Sequence, residues 1–595
     1  MERYHRIGKI KPFAFCGWLL LLYGIAIAQT KIGSVGFEGN SFFSQRQLLE
    51  NIPSRPGQLL STFPQYVSVL EELYRSEGFY AFAVDSSVFT YSDDSISADI
   101  LIYITEHERT LISQLVLSGN TNFSSTQLIG LMESSVGSAL QPSVLEEDIR
   151  SILDLYSRNG FPFTTVTSDS IRTEAGDPSQ LIVQLMISEG SRLVMNEIRV
   201  EGNSVTSADV VAREVRMRSG MLFDQDRVEE IRKRLERLQL FTSVAEPQLY
   251  VLAGSVGDTL RGGLLITVTE GNTNTFDGII GYVPPVPPTK EGYFTGNVFV
   301  AMRNLFGTGR KALIQWQRET ELTQELELQY KEPWLFGVPL SIGGLLQQRK
   351  QDSSFVRTKA ELRGEYAVTE ALSVAGNLST ESVYPSSSVQ QFSVFESNAL
   401  SVGAEIVYDT RDNLRNPTGG VRYSTVIQRG NKEITGPEKY LHLAGERYSS
   451  VQKYTMDAEF YFTTFFRQVI MMGLHGKQIS SSRLELSDLF SFGGTTTLRG
   501  YRENQFFASR IVYINTEYRF LTGRASSLFG FVDAGYFSRP SDVLHSTVRQ
   551  ERSLYGYGIG ARIETGLGIL NINYALGEGD SFSNGKIHVG IINEF

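Results

Sequence analysis

Cysteine is all but missing from this 595-residue chain, and the single one, Cys16, lies in an apolar stretch near the start. Beyond that stretch there is no thiol, which excludes disulfide staples, thiolate metal sites and a cysteine nucleophile and suits an oxidising compartment. Histidine is scarce as well. The six, at 5, 107, 442, 475, 545 and 588, show no H-E-x-x-H spacing, and the chain carries neither a C-x-x-C pair nor a G-x-S-x-G elbow. An excess of basic residues is missing too: the formal net charge is -10, so there is no electrostatic footprint for nucleic acid. These absences point away from an enzyme and call for no cofactor and no metal.

Long apolar runs are limited to one. Phe13 to Ala28 follows Arg3, Arg6, Lys9 and Lys11 and closes Ala26-Ile27-Ala28 before Gln29. It falls short of the roughly 20 residues a spanning helix needs, and its A-x-A ending reads as a secretory signal over 1–28, with an uncleaved anchor as the alternative. Phe13-Ala14-Phe15 lacks the small residue that lipid attachment at Cys16 would want. Without its four bases and one acid, the charge becomes -13.

What is present is a threefold repeat. Val35 to Asn40 (VGFEGN), Leu115 to Asn120 (LVLSGN) and Ile198 to Asn203 (IRVEGN) are alternating strands ending in Gly-Asn, with the glycines at 39, 119 and 202. Helical periods follow at Ser44 to Asn51, Ser124 to Glu133 and Ser207 to Met217, then at Val67 to Glu77, Val144 to Asn159 and Asp226 to Gln239. The second helix runs into Gly78-Phe79, Gly160-Phe161 and, less faithfully, Leu240-Phe241. Each unit closes on an alternating strand ending in an acid: Ile100 to Glu106, Leu181 to Glu189 and Leu264 to Glu270. The unit is β-α-α-β-β, and the three resemble POTRA domains, the periplasmic modules of outer-membrane assembly proteins. The expected boundaries are 29–108, 109–191 and 192–271.

From about Asn272 the helical periods stop, and short alternating segments rich in Gly, Tyr and Phe take over. Residues 272–595 at roughly 20 residues per strand and connection predict about 16 antiparallel strands of a transmembrane barrel. At the end of the chain the segments 511–520, 528–537, 553–563, 569–576 and 586–595 are separated by 7, 15, 5 and 9 residues. Short and long connections alternate, as when turns face one side and loops the other. The proline-rich Val283 to Pro288 leaves the limits of the first strand open. Gly556, Gly558 and Gly560 lack any phosphate-loop context and read as small strand residues allowing curvature. A secreted soluble sandwich or propeller is the alternative on pattern alone.

Five stretches resemble the BamA and TamA family of outer-membrane assembly barrels: NLFGTGR at 304–310, YKEPWLFGV at 330–338, YDTRDN at 408–413 with Pro417 and Gly419, GGTTTLRGY at 493–501 and FVDAG at 531–535. With the repeats they span nearly the whole chain, and three repeats lean toward TamA, since the family gives BamA more. The chemistry of two strands can be read independently. Sending Val512, Ile514, Thr516, Tyr518 and Phe520 to the lipid keeps Glu517 inside, and Val532, Ala534 and Tyr536 outward keep Asp533 inside; the reverse buries charge in hydrocarbon at about 2–4 kcal/mol for a basic residue near the midplane. If Phe520 pairs with Leu528, Glu517 lies diagonally beside Asp533, and one arginine fork can satisfy both. The resemblance implies that the arginine is Arg499, tucked inward from a long loop, with Gly500 permitting the turn and Tyr501 packing. Leu498 stands where the family more often has Val. The competing reading pairs Glu517 with Arg519 or solvent and leaves Arg499 on an exposed loop.

The resemblance implies an outer-membrane barrel with its repeats in the periplasm. Its function would be to insert or translocate unfolded outer-membrane or secreted clients by strand addition. Addition is expected at repeat edges, with Leu264, Ile266 and Val268 nearest the barrel, and at a seam between the first strand and the last, through Val589, Ile591 and Phe595. Expected partners are such clients, periplasmic or inner-membrane accessory proteins and the lipid bilayer. A pore dedicated to one secreted protein and a surface-exposed scaffold or antigen are the rival classes.

Overall fold

The computed structural model describes residues 30–592 apart from 53–56, 60–63, 94–95, 175–176, 257, 284–292, 387–391, 415, 524, 543–544 and 566–567. The signal reading of 1–28, the stretch 284–288 and Phe595 lie outside the described residues. Two bodies emerge, one holding residues 30–193 and the other chiefly the third repeat and everything after it.

In each repeat two helices pack on a small sheet. The first repeat comprises the strand Lys31–Glu38, the helices Gln45–Asn51 and Pro64–Ser76, and the strands Ala83–Tyr91 and Ser97–Thr105. Ser44 caps the first helix and Ser124 its counterpart, each in a capping box with a glutamine three residues on. The second repeat's first helix, Ser125–Ile129, stops earlier than its periodicity predicts. The reason is local: the amides of Glu133 and Ser134 turn to the buried Asp148 carboxylate, at 2.6 and 3.1 Å. In the third repeat the residue matching Gly78 and Gly160 is Gln239, not Leu240. All three take positive φ, at 95°, 93° and 57°, so the true counterpart of Phe79 is Leu240.

Sheet order corrects one expectation. The closing strand is central in every repeat, between the first strand and the strand that precedes it in the chain. Thr259–Glu270 therefore has neighbours on both sides, and Leu264, Ile266 and Val268 are core residues, 0–2% exposed. They are not a client-binding edge: the backbone of this strand is spent on ladder bonds to a neighbour on each side, and its side chains on the core. The first strand's outer side is covered by the segment between the helices, through Ile32 N–H to Gln58 O at 2.7 Å, Ile112 N–H to Ser138 O at 2.9 Å and Gly220 N–H to Met195 O at 2.8 Å. The outermost strands that remain are Ala83–Tyr91, Thr165–Glu174 and Gln248–Val256.

After the repeats comes one antiparallel sheet of 16 strands, from Asn274–Val283 to Lys586–Ile592, each paired with the next barrel strand. Among the described residues no helix is long and apolar enough to cross a membrane, and these strands carry the crossing pattern instead. Outward positions are apolar and exposed, including Val512, Ile514, Phe520, Val532 and Tyr536, while the alternate positions are buried and often charged. The long loops fold over small cores of their own, around Phe355, Val383 and Val394 and around Phe395, Ile434 and Ala444. Between them Lys432 is buried against Glu485 and Asp488, at 3.2 and 2.7 Å.

Candidate functional site

Three arrangements stand out, and the first recurs in every repeat. The glycines of the Gly-Asn pairs hold φ of 93°, 82° and 84°. A Cβ on any of them would lie 2.0, 2.1 or 1.9 Å from the carbonyl oxygen of Ile104, Ile187 or Val268 in the closing strand, so only glycine fits. This approach brings the loop amides onto the acid that ends that strand. Glu106 accepts from the amides of Ser41 and Phe42, from the Ser41 hydroxyl and, at 2.7 Å, from the buried Tyr74 hydroxyl. Glu189 repeats this with Thr121, Asn122 and, at 2.7 Å, Tyr156. Burial works to raise these carboxyls, but the hydrogen bonds outweigh it: Glu106 sits below its ordinary value, and Glu189 falls to about 2.

The third repeat departs from this in an informative way. Leu235 occupies the tyrosine position, and Glu270 instead accepts from three successive amides, Ser204, Val205 and Thr206, the last at 2.5 Å. These bonds hold its carboxyl at about 2 against the cost of burial. The Thr206 hydroxyl also accepts from Asn304 Nδ2 at 2.9 Å, and Ser207 N–H donates to Gly307 O at 2.8 Å. The NLFGTGR turn thus lies against the third repeat. The next turns follow: Trp334 Nε1 donates to Glu214 at 2.6 Å, and Glu370 pairs with Arg216 and Arg234 at 2.9 and 2.8 Å. Arg237 donates to the carbonyls of Glu370 and Asp409. Several of the motif stretches are therefore short-turn residues that meet the third repeat.

The second arrangement lies inside the sheet. The strands Arg510–Leu521 and Ser527–Arg539 pair with Phe520 opposite Leu528 and Asn515 opposite Asp533. Their inward residues Glu517 and Asp533 are 3% and 0% exposed. Arg499, from the long loop, enters between them: its Nε and Nη2 donate to Asp533 at 2.8 and 2.6 Å, its Nη1 to Glu517 at 2.7 Å, and its own amide to Asp533 at 3.0 Å. Glu517 is shared with Arg519 at 2.7 Å and Arg562 at 3.0 Å. Three guanidiniums meet two carboxylates, and aromatic faces take up the excess positive charge. Arg499 lies 3.7 Å from the centre of Phe531, and Arg562 4.7 Å from that of Phe529. Leu498 is fully buried in an apolar cluster with Phe492, Tyr501, Tyr513 and Phe537, which anchors the loop on the arginine's other side.

The third arrangement is the seat beneath the loop. A Cβ on Gly556 would lie 2.0 Å from Arg499 O, and one on Gly560 would lie 2.5 Å from the Phe529 ring. The three alternate glycines of Gln550–Thr565, at 556, 558 and 560, are thus space for the loop and its aromatic bed. Gly500, at φ 92°, presses on the backbone of Leu576 and Gly577, and Tyr501 donates to Tyr555 O at 3.0 Å. Sequence reasoning missed the share of Arg562 and the rings of Phe529 and Phe531, set Arg519 against Arg499 as alternatives where Glu517 holds both, and read Gly556 as curvature where it is space for the loop. The G-x-G-x-G alternation facing the lumen was the available signal. Of the seam residues, Val589 faces outward, Ile591 pairs with Leu570, and nothing gathers them with the arginine cluster.

Comparison with known proteins places these features. The Omp85 superfamily domain matches residues 304–595. A POTRA model described as surface antigen variable number repeat matches 30–107, 110–190 and 194–271. The outer membrane protein assembly factor BamA of Neisseria meningitidis serogroup B is 23% identical over 325 residues, 53% of this chain and 39% of that protein. BamA of Neorickettsia risticii is 22% identical over 359 residues, 58% of this chain and 46% of that one. This chain thus spans less than half the length of either relative. Among solved structures, CdiB from Escherichia coli is similar in fold with a TM-score of 0.51 at 15% identity, covering 89% of this chain and 97% of that one.

Proposed function

The chain belongs to the Omp85 superfamily, with its barrel in the outer membrane and its POTRA repeats in the periplasm, and from this premise we propose that it assembles or translocates other outer-membrane proteins by adding client strands to its own. The observation that carries this reading is the asymmetry of the repeat sheets. In each, the first strand's edge is covered by the interhelical segment, and one outermost strand, Ala83–Tyr91, Thr165–Glu174 or Gln248–Val256, is left to accept an extended segment. Apolar side chains are exposed along these strands, Val88 and Tyr91 in the first, Ile171 in the second and Val251 in the third. The corrected edges replace the central strand as the client sites.

The barrel offers a second strand end. Its first and last strands, Asn274–Val283 and Lys586–Ile592, stand at the two ends of the described sheet. A seam formed by pairing these two can open to a client by exchanging ladder bonds, without ATP. Arg499, held by Glu517 and Asp533, keeps the loop seated in the lumen while this happens.

Depletion followed by proteomics of the outer membrane tests the reading, with complementation by the wild-type chain or Arg499→Ala. Loss of many unrelated barrels, rescued by wild type and not by the variant, is the expected result. Loss of one secreted protein points instead to a dedicated pore, and an unchanged proteome to a surface scaffold.

A further inference from the structure

The loop that carries Arg499 reaches beyond the two acids. Going along it, Asn515 Nδ2 donates to Thr497 O at 2.8 Å, Arg499 engages Asp533, the Gly500 backbone lies on Leu576 and Gly577, and Tyr501 bonds Tyr555 O. One contact goes further, to the last strand. His588, 6% exposed and facing inward from Lys586–Ile592, accepts the Gly500 amide at its Nε2, at 3.3 Å. Its Nδ1 lies 3.5 Å from Thr495 Oγ1 and 3.8 Å from Glu503, and Glu503 in turn accepts the Thr495 amide at 2.6 Å. A ring that accepts at Nε2 carries its proton on Nδ1, directed at the Thr495 and Glu503 oxygens. Both nitrogens are thus committed to one loop. On the same strand, a Cβ at Gly590 would touch Thr495 Cγ2 at 3.5 Å.

We infer that His588 ties the terminal strand of the barrel to the loop seated by Arg499, so that this strand cannot leave the seam without releasing the loop. The tie rests on the reading of the seam as the place where clients enter, and it adds a positioning residue to it. The arginine cluster holds the loop on the two strands of Glu517 and Asp533, whereas Gly500 rests on Gly568–Gly577 and His588 extends the hold to Lys586–Ile592. The described last strand, Lys586–Ile592, thus meets the loop at Gly500, Thr495 and Glu503, contacts that add to its ladder bonds with Gly568–Gly577.

The test uses the full chain in phosphatidylethanolamine vesicles, with hydrogen exchange read by peptide. His588→Leu removes both nitrogens. Exchange in 586–592 should rise about tenfold, the scale set by one buried hydrogen bond, while 510–521 and 527–539 stay unchanged. His588→Gln, whose amide offers an acceptor and a donor, should restore protection. Unchanged exchange in 586–592, or a rise spread equally over the other two segments, overturns the tie. A cysteine pair, Thr495→Cys with Gly590→Cys in a Cys16→Ser background, reads the same contact without disturbing His588. It should oxidise to a cross-link in the folded protein, and its failure to form counts against the tie. Client insertion measured on His588→Leu separates the two ideas: a loosened strand with unchanged insertion keeps the tie and removes the seam reading.

Discussion

The repeats and the barrel both bury carboxylates, but they satisfy them from opposite distances. Glu106, Glu189 and Glu270 are held by amides and hydroxyls of one short loop, joined in the first two repeats by a helix tyrosine, and the loop is fixed by the glycine that meets the closing strand. Glu517 and Asp533 depend on arginines, and the central one arrives from a loop 18 and 34 residues away. A charge held by local backbone is as durable as the fold that forms it. A charge held by a remote side chain is durable only while that side chain stays, which makes it a fitting place for a part that must be seated and, on occasion, released. The repeats therefore use the local device where rigidity is wanted, and the barrel uses the remote one where a loop crosses the lumen.

The strongest way to break this contrast is to remove the remote partner. Arg499→Ala strips Asp533 of its cation inside the barrel, and breaking such a buried pair costs about 3–5 kcal/mol. A fall in the temperature at which the protein loses its compact mobility on semi-native gels should report it, and an unchanged transition would show that Arg519 and Arg562 suffice. Next in size is Glu189→Gln, which weakens the charge-assisted bonds to Thr121, Asn122 and Tyr156 at about 1–3 kcal/mol, read as faster exchange in the second repeat. The sign with pH follows from the lowered carboxyl. With its folded value at about 2 against an ordinary 4.5, Glu189 stabilises the repeat fully above about pH 4.5 and progressively less as pH falls toward 2. The variant should lack this part of the pH dependence, and a wild-type repeat equally stable at pH 5 and pH 2.5 would contradict it. Smallest is Tyr156→Phe, one neutral donor removed, at about 1 kcal/mol. It should leave the second repeat resembling the third, which already folds around Leu235, and a loss as large as that of Glu189→Gln would mean the tyrosine does more than donate.

Much of this is legible in the sequence alone. The 80-residue period, the serine caps and the alternation of 510–521 and 527–539 follow from rules that act over a few residues, and they held. The facing of the two strands followed from the one assignment that keeps charge out of the lipid, and the convergence of Glu517 and Asp533 followed on the condition that Phe520 pairs with Leu528, as it does. The third repeat's Gln239 was misread because a positive φ is usually announced by glycine, and here the helix end imposes it on a glutamine. The client edge was misassigned for a related reason: the most apolar strand attracts attention, yet apolar alternation marks the strand that the core needs, which is the central one.

The sequence by itself determined the repeat unit, the number and facing of the barrel strands and the presence of two inward acids, because periodicity and charge placement are local consequences of backbone geometry and of the cost of burying ions. Only the tertiary structure decided which edges are left to pair, that Glu517 is shared among three arginines, that Gly556 is a seat for the loop and that His588 meets Gly500. Those contacts join residues up to 88 positions apart, and no local rule connects them. They exist because folding one sheet with a returning loop brings distant strands and that loop into the same small volume.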